Sequence, residues 1–227
     1  MTPFHEHAVW LIALWLVMVG VRFRRSKAVL AGGLLAVGAY TLVGLARHDV
    51  SRQDLGLVAP TSFLATGGLA VAWLVLMLVY SPWADRLATR WVERAPTLEA
   101  FRLLQQSKSH LLAGIALAWV LGAFLEELAF RGIVLRSVEA LLSTALARPL
   151  AVALAVGVAA AGAGVVHLYQ GVRAAVVITQ LSALFGVLFV VGGYNLWAVV
   201  VCHGLYDTVA FIRFANRQSR YSRLDSG

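Results

Sequence analysis

Long apolar runs alternate with short polar connections along the chain. The apolar windows are 8–21, 28–46, 62–80, 110–130, 150–167, 173–192 and 195–212, with a shorter mixed piece, "GIVLRSVEALLSTALA", over 132–147. Roughly 20 apolar residues take a helix across a bilayer, and most of these windows approach that length. Their apolar positions run continuously, which favours helices over the alternating ten-residue strands of a membrane β-barrel. The expected fold is all-α: a polytopic membrane helical bundle of about eight transmembrane helices, a single membrane domain over 1–227. The longest polar stretch is 81–109. In it, Trp83, Leu87, Trp91 and Val92 approximate one face, with Arg86, Arg90 and Arg94 on another. A helix lying in the membrane interface has this pattern, and so does an ordinary loop helix.

Composition supports the membrane reading. The chain is 60% hydrophobic and 13% charged, against about 25% charged in soluble domains; its mean hydropathy is +0.80. The formal charge of +8 comes from Lys and Arg in short loops, where topology and lipid headgroups account for it. No basic stripe with interleaved aromatics is present, so the expected partner is the lipid bilayer and not nucleic acid. The single cysteine, Cys202, excludes an intramolecular disulfide and CxxC zinc spacing. "MTPFHEH" has no basic n-region, so 8–21 reads as a retained helix and not a removed signal peptide.

Six ionisable residues, Glu126, Glu127, Arg131, His167, His203 and Asp207, fall in or near apolar windows. Each costs about 2.5–3.5 kcal/mol at mid-membrane, so such residues face a protein interior or a water-filled cavity. Glu127 and Arg131 are i and i+4, in the favourable order for mutual neutralisation. Glu126 is rotated about 100° from Glu127 and has no such cation. His203 and Asp207 are again i and i+4. A spare carboxylate and a histidine can share the deprotonation of a water, and a second donor cluster can stabilise the resulting oxyanion. That is the minimum equipment for hydrolysing a peptide bond without a serine or cysteine nucleophile. No cofactor is required, although a divalent metal at Glu126, His167 and His203 would use the same residue types. A proton relay or small transporter would also use intramembrane Glu and His, but the chain has no inverted repeat.

"EELAFR" (126–131) resembles the EExxxR motif of the CPBP intramembrane protease family, which includes the CAAX prenyl proteases. "HLYQG" (167–171) resembles the family's second motif, and "CHGLYD" (202–207) its third, an HxxxN/D pattern. The resemblance covers roughly 110–212, the expected catalytic core. It implies Glu126 as general base working with His167 on the attacking water. Glu127 and Arg131 would hold the geometry, and His203 and Asp207 would bind the scissile carbonyl. Two positions depart from the family. The second motif is usually FxxxH, but residue 163 is Ala. The third often ends in Asn, but residue 207 is Asp, which when ionised cannot donate to an oxyanion; either it is protonated, as a low-dielectric site favours, or, the preferred reading, it orients His203. The resemblance implies a membrane-protein or C-terminal tail peptide as substrate and a multi-pass place in a bacterial inner (cell) membrane. A non-catalytic scaffold or bacteriocin self-immunity protein of the same fold is the alternative.

This chemistry needs Glu126 and His167 at one depth. Each ends its apolar window, so 132–147 is expected to cross or deeply enter the membrane between them. That makes eight helices and puts both termini on the side of the site. Arg22, Arg24, Arg25, Lys27, Arg86, Arg90, Arg94, Arg102, Lys108 and Arg148 then share one face, and Arg47, Arg52, Arg173, Arg213, Arg217, Arg220 and Arg223 the other. The basic cluster after the first helix places the mouth of the site on the outer face. Exported proteins with a C-terminal hydrophobic anchor are then the expected substrates.

Overall fold

The computed structural model describes residues 2–23 and 26–224; Arg24 and Arg25 of the first basic connection lie outside the described residues. It contains α1 (Pro3–Met18), α2 (Lys27–Ala46), α3 (Phe63–Thr89), α4 (Lys108–Leu142), α5 (Arg148–Val166), α6 (Val172–Val191) and α7 (Leu196–Leu224). No strand occurs among the described residues. Helix starts follow the polar connections. Thr2, Ser26, Ser62 and Ser107 cap α1 to α4, each accepting from the amide three residues on, which satisfies one of the amides a helix start leaves without a partner.

Seven of these helices are long and apolar enough to cross a membrane, not the eight expected. The difference lies in 132–147. Residues 132–142 are the last turns of α4, and 143–147 is the turn into α5. α4 is 35 residues long. At about 1.5 Å per residue it exceeds the hydrocarbon thickness of about 30 Å. The residues that imitate the end of a membrane window are absorbed by protein contacts. Arg131 is paired inside the bundle. Gly132 makes room for a backbone: a Cβ there would sit 3.1 Å from the Leu55 carbonyl oxygen. The Arg136 guanidinium lies 5.3 Å over the Tyr194 ring, and Glu139 accepts from the Tyr194 hydroxyl at 2.8 Å. Glu126 is therefore mid-helix. It stands about as far before the 143–147 turn as His167 stands after it, so the two reach similar depth without an extra crossing.

An odd number of spans redistributes the charge. The α1–α2 connection, 90–107, the α5–α6 turn and the C-terminal end of α7 share one face of the bundle. The other face carries 47–62, 143–147 and 192–195. Arg22, Lys27, Arg86, Arg90, Arg94, Arg102, Lys108, Arg173, Arg213 and Arg217 now belong to the first face, and only Arg47, Arg52, Arg136 and Arg148 to the second. The charge distribution therefore differs from the one expected with eight spans.

Within 81–109, residues 81–89 complete α3, and a 3-10 helix spans Glu99–Gln105. Arg86 lies 5.1 Å over the exposed Trp83 ring. On the opposite face the Ser51 amide and hydroxyl donate to Asp54, holding its carboxyl below the usual range. The bundle core is closed by small residues. Ala151, Ala155, Ala159 and Ala163, one turn apart on α5, are all buried, and Gly164 beside them lets α5 approach α6, where a Cβ would sit 2.9 Å from the Ala175 carbonyl oxygen.

Single cysteines introduced in a Cys202→Ser background test the topology. Ala145→Cys and Asp49→Cys should label with a membrane-impermeant maleimide from the same side, and Glu93→Cys from the other. Ala145→Cys labelling together with Glu93→Cys would restore the eight-span scheme.

Candidate active site

α4 carries two π-helical stretches, Ala118–Glu126 and Leu128–Leu135. π-helical turns close i→i+5 hydrogen bonds and are found mostly at functional sites. Residues five apart, such as Gly122 and Glu127, therefore share a face, and here that face meets α7. A Cβ at Gly122 would lie 3.2 Å from Asp207 Oδ2 and 3.9 Å from His203 Nε2. The glycine thus gives α7 room to bring its polar pair against α4. The same contact is fixed one turn away, where the Trp119 indole donates to Thr208 Oγ1 at 3.1 Å.

Glu127 is fully buried and Arg131 is 2% exposed. Arg131 Nη1 donates to Glu127 Oε1 at 3.3 Å, and Nε stands 3.1 Å from Oε2 as an ion pair without hydrogen-bond alignment. Arg131 Nη2 donates to both the carbonyl and the hydroxyl of Ser182 on α6, each at 2.6 Å. Glu127 Oε1 also accepts from His203 Nδ1 at 2.6 Å. One carboxylate therefore ties α4 to α7, and its guanidinium ties α4 to α6. His203 stacks on Phe185, with centroids 4.7 Å apart at 21°. Its Nε2 lies 3.5 Å from Asp207 Oδ2.

Among the described residues Glu126 has no hydrogen bond or ion pair, and its electrostatic neighbours include His167, His203, Asp207, Glu127 and Arg131. His167 ends α5. Its Nδ1 is 2.8 Å from the Ala163 carbonyl oxygen. A carbonyl only accepts, so Nδ1 carries the proton and Nε2 is the free nitrogen. Ala163, where an aromatic was expected, contributes through its backbone, which needs no particular side chain. All six sequence candidates, Glu126, Glu127, Arg131, His167, His203 and Asp207, line one cavity of about 820 Å³. Toward the face that carries 90–107 its lining includes Leu98, Phe101, Leu104, Phe211 and Phe214, with Asp85, His110 and Arg213 among them.

Residues 108–209 match the family of Rce1-like type II CAAX prenyl endopeptidases. The match takes in α4 to α6 and the first half of α7, and it agrees with the CPBP resemblance of the three motifs. At the level of the family, the match supports an intramembrane protease. Neither the curated proteins nor the solved structures include a match to the chain.

A divalent metal in this cavity would draw on the same histidines and carboxylates. Among the described residues no group of three or more His, Cys, Asp or Glu converges as a metal site. Both nitrogens of His203 face carboxylates of the protein, which leaves one histidine nitrogen and Glu126. The sequence missed Ser182, Phe185 and Gly122. Ser182 sits in "TQLSALF" (179–185), a polar interruption of an apolar helix that hinted at a role. Its partner lies 51 residues away in the chain, beyond any spacing rule.

The geometry separates the adjacent glutamates. Glu127→Gln should lower unfolding stability in detergent by about 3–5 kcal/mol, because it leaves Arg131 buried without its counter-charge. Glu126→Gln breaks no contact and should stay within about 1 kcal/mol of wild type. Equal losses in chemical denaturation would contradict this division.

Proposed function

We propose that the protein is an intramembrane endopeptidase of the glutamate type, cleaving tails of membrane-associated proteins near the membrane surface. Glu126 and the free Nε2 of His167 hold a water between them. Glu126 takes its proton as the oxygen attacks the scissile carbonyl carbon, and the carbonyl electron pair moves onto oxygen. His203 is held by Glu127 through its Nδ1–H and turns its Nε2–H, beside Asp207, to donate to that oxyanion. Glu126 then returns the proton to the amide nitrogen as the C–N bond breaks. The observation that carries this reading is the contrast within "EE": Glu127 is spent on Arg131 and His203, while Glu126 stands free on the same cavity wall as His167.

The many apolar side chains lining the cavity favour a substrate that brings an apolar tail into it. The excess of Arg and Lys on the face that carries 90–107 assigns it to the cytoplasm, so the tails are those presented at the cytoplasmic surface. A membrane proteome compared between wild-type and Glu126→Gln cells tests this. Proteins shortened at the C-terminus in wild type should persist at full length in the variant. Identical termini in both strains, alongside a cellular defect common to Glu126→Gln and a deletion, would favour the scaffold alternative.

Separately, His203→Phe keeps the stack on Phe185 but removes the oxyanion donor. It should reduce turnover of an internally quenched peptide by about 10²–10³-fold, and a smaller loss than tenfold would remove His203 from this role.

A further inference from the structure

One polar group in the cavity has no part in this scheme. The 3-10 turn His167–Gln170 ends at Gly171, whose φ of 106° is open to glycine but rarely adopted by other residues. The Gln170 carbonyl accepts from the Thr97 amide at 2.9 Å, which pins the turn to the segment before the 3-10 helix Glu99–Gln105. The turn carries Tyr169 into the cavity wall beside His167, with ring centroids 5.9 Å apart at 31°.

The Tyr169 oxygen accepts from the buried Gln170 side-chain amide at 2.8 Å. The hydroxyl proton must therefore point elsewhere, yet among the described residues it meets no acceptor. The charges acting on the phenol are those of Glu126 and Asp207, the two carboxylates that flank the place of reaction. Asp207 meanwhile stands where an oxyanion donor is wanted, and an ionised carboxylate only accepts.

Resting on the function proposed above, we propose that the Tyr169 hydroxyl donates a hydrogen bond to the oxyanion at the scissile carbonyl, supplying beside His203 the donor that Asp207 cannot. The phenol keeps its proton throughout, so the balance of the hydrolysis is unchanged. Gln170 holds the oxygen in place, and its own hydrogen bond to that oxygen strengthens the phenol as a donor. The interaction is stronger once negative charge has formed on the carbonyl oxygen, so it acts on turnover and not on substrate binding.

The test uses the full-length protein in detergent, with internally quenched peptides bearing apolar C-terminal tails and a peptidyl phosphinate that mimics the tetrahedral intermediate. Tyr169→Phe should lower kcat by about 10–100-fold with KM within about twofold, and weaken the phosphinate by a similar factor. Replacement of Tyr169 by 3-fluorotyrosine, a stronger donor of nearly the same shape, should restore kcat and tighten phosphinate binding. Wild-type kcat in Tyr169→Phe overturns the inference, as does a loss that 3-fluorotyrosine does not restore. If Tyr169→Phe is unaffected while Glu126→Gln is inactive, only this inference fails. If Glu126→Gln turns over like wild type, the reading of the site fails and this inference with it.

Discussion

Everything at the centre of this bundle depends on one buried ion pair. Glu127 and Arg131 lie where an unpaired charge would be expelled from the membrane or neutralised. They remain because each finds its counter-charge one helical turn away and its remaining partners on two other helices. Ser182 takes the guanidinium on the α6 side, and His203 takes the carboxylate on the α7 side. Such a pair adds little net stability over an apolar core, but it tolerates few alternative arrangements. In this protein it sets the register of α4 against α6 and α7. The placement of His203, and through it Asp207, follows from that register.

Glu126 is defined by contrast with its neighbour. It shares the helix, the charge and the cavity, but none of the partners. Glu127 holds Arg131 and His203 by hydrogen bonds, and among the described residues Glu126 bonds to neither. His167 acts on Glu126 across the cavity, through a ring whose Nδ1 is held by Ala163 and whose Nε2 is not. A free carboxylate near a free imidazole nitrogen, on a cavity wall within an otherwise apolar bundle, is the arrangement water activation needs. The match of 108–209 to the Rce1-like family covers α4 to α6 and the part of α7 that carries this arrangement.

Much of this was legible from spacing alone. The i, i+4 relations of Glu127 with Arg131 and of His203 with Asp207 both appear as contacts, and the all-α membrane class follows from uninterrupted apolarity. Topology was not legible. Gly132, Arg136 and Glu139 look like the edge of a membrane window, yet they are neutralised by Leu55 and Tyr194, partners distant in sequence. Treating them as a boundary created an eighth crossing and set the site on the face opposite the 22–27 connection. The partners of the ion pair beyond α4, Ser182 and Phe185, were hidden for the same reason. Hydropathy records what a residue prefers and not which neighbour satisfies it.

The central claim is that Glu126 and His167 act as one unit on one water. A kinetic double-mutant cycle tests it most directly, comparing Glu126→Gln, His167→Asn and the double variant in turnover of an internally quenched peptide. Residues that act as a unit are strongly non-additive. The account predicts a double variant no slower, within about threefold, than the slower single variant. Losses that multiply would mean that the two residues act independently, and would contradict it.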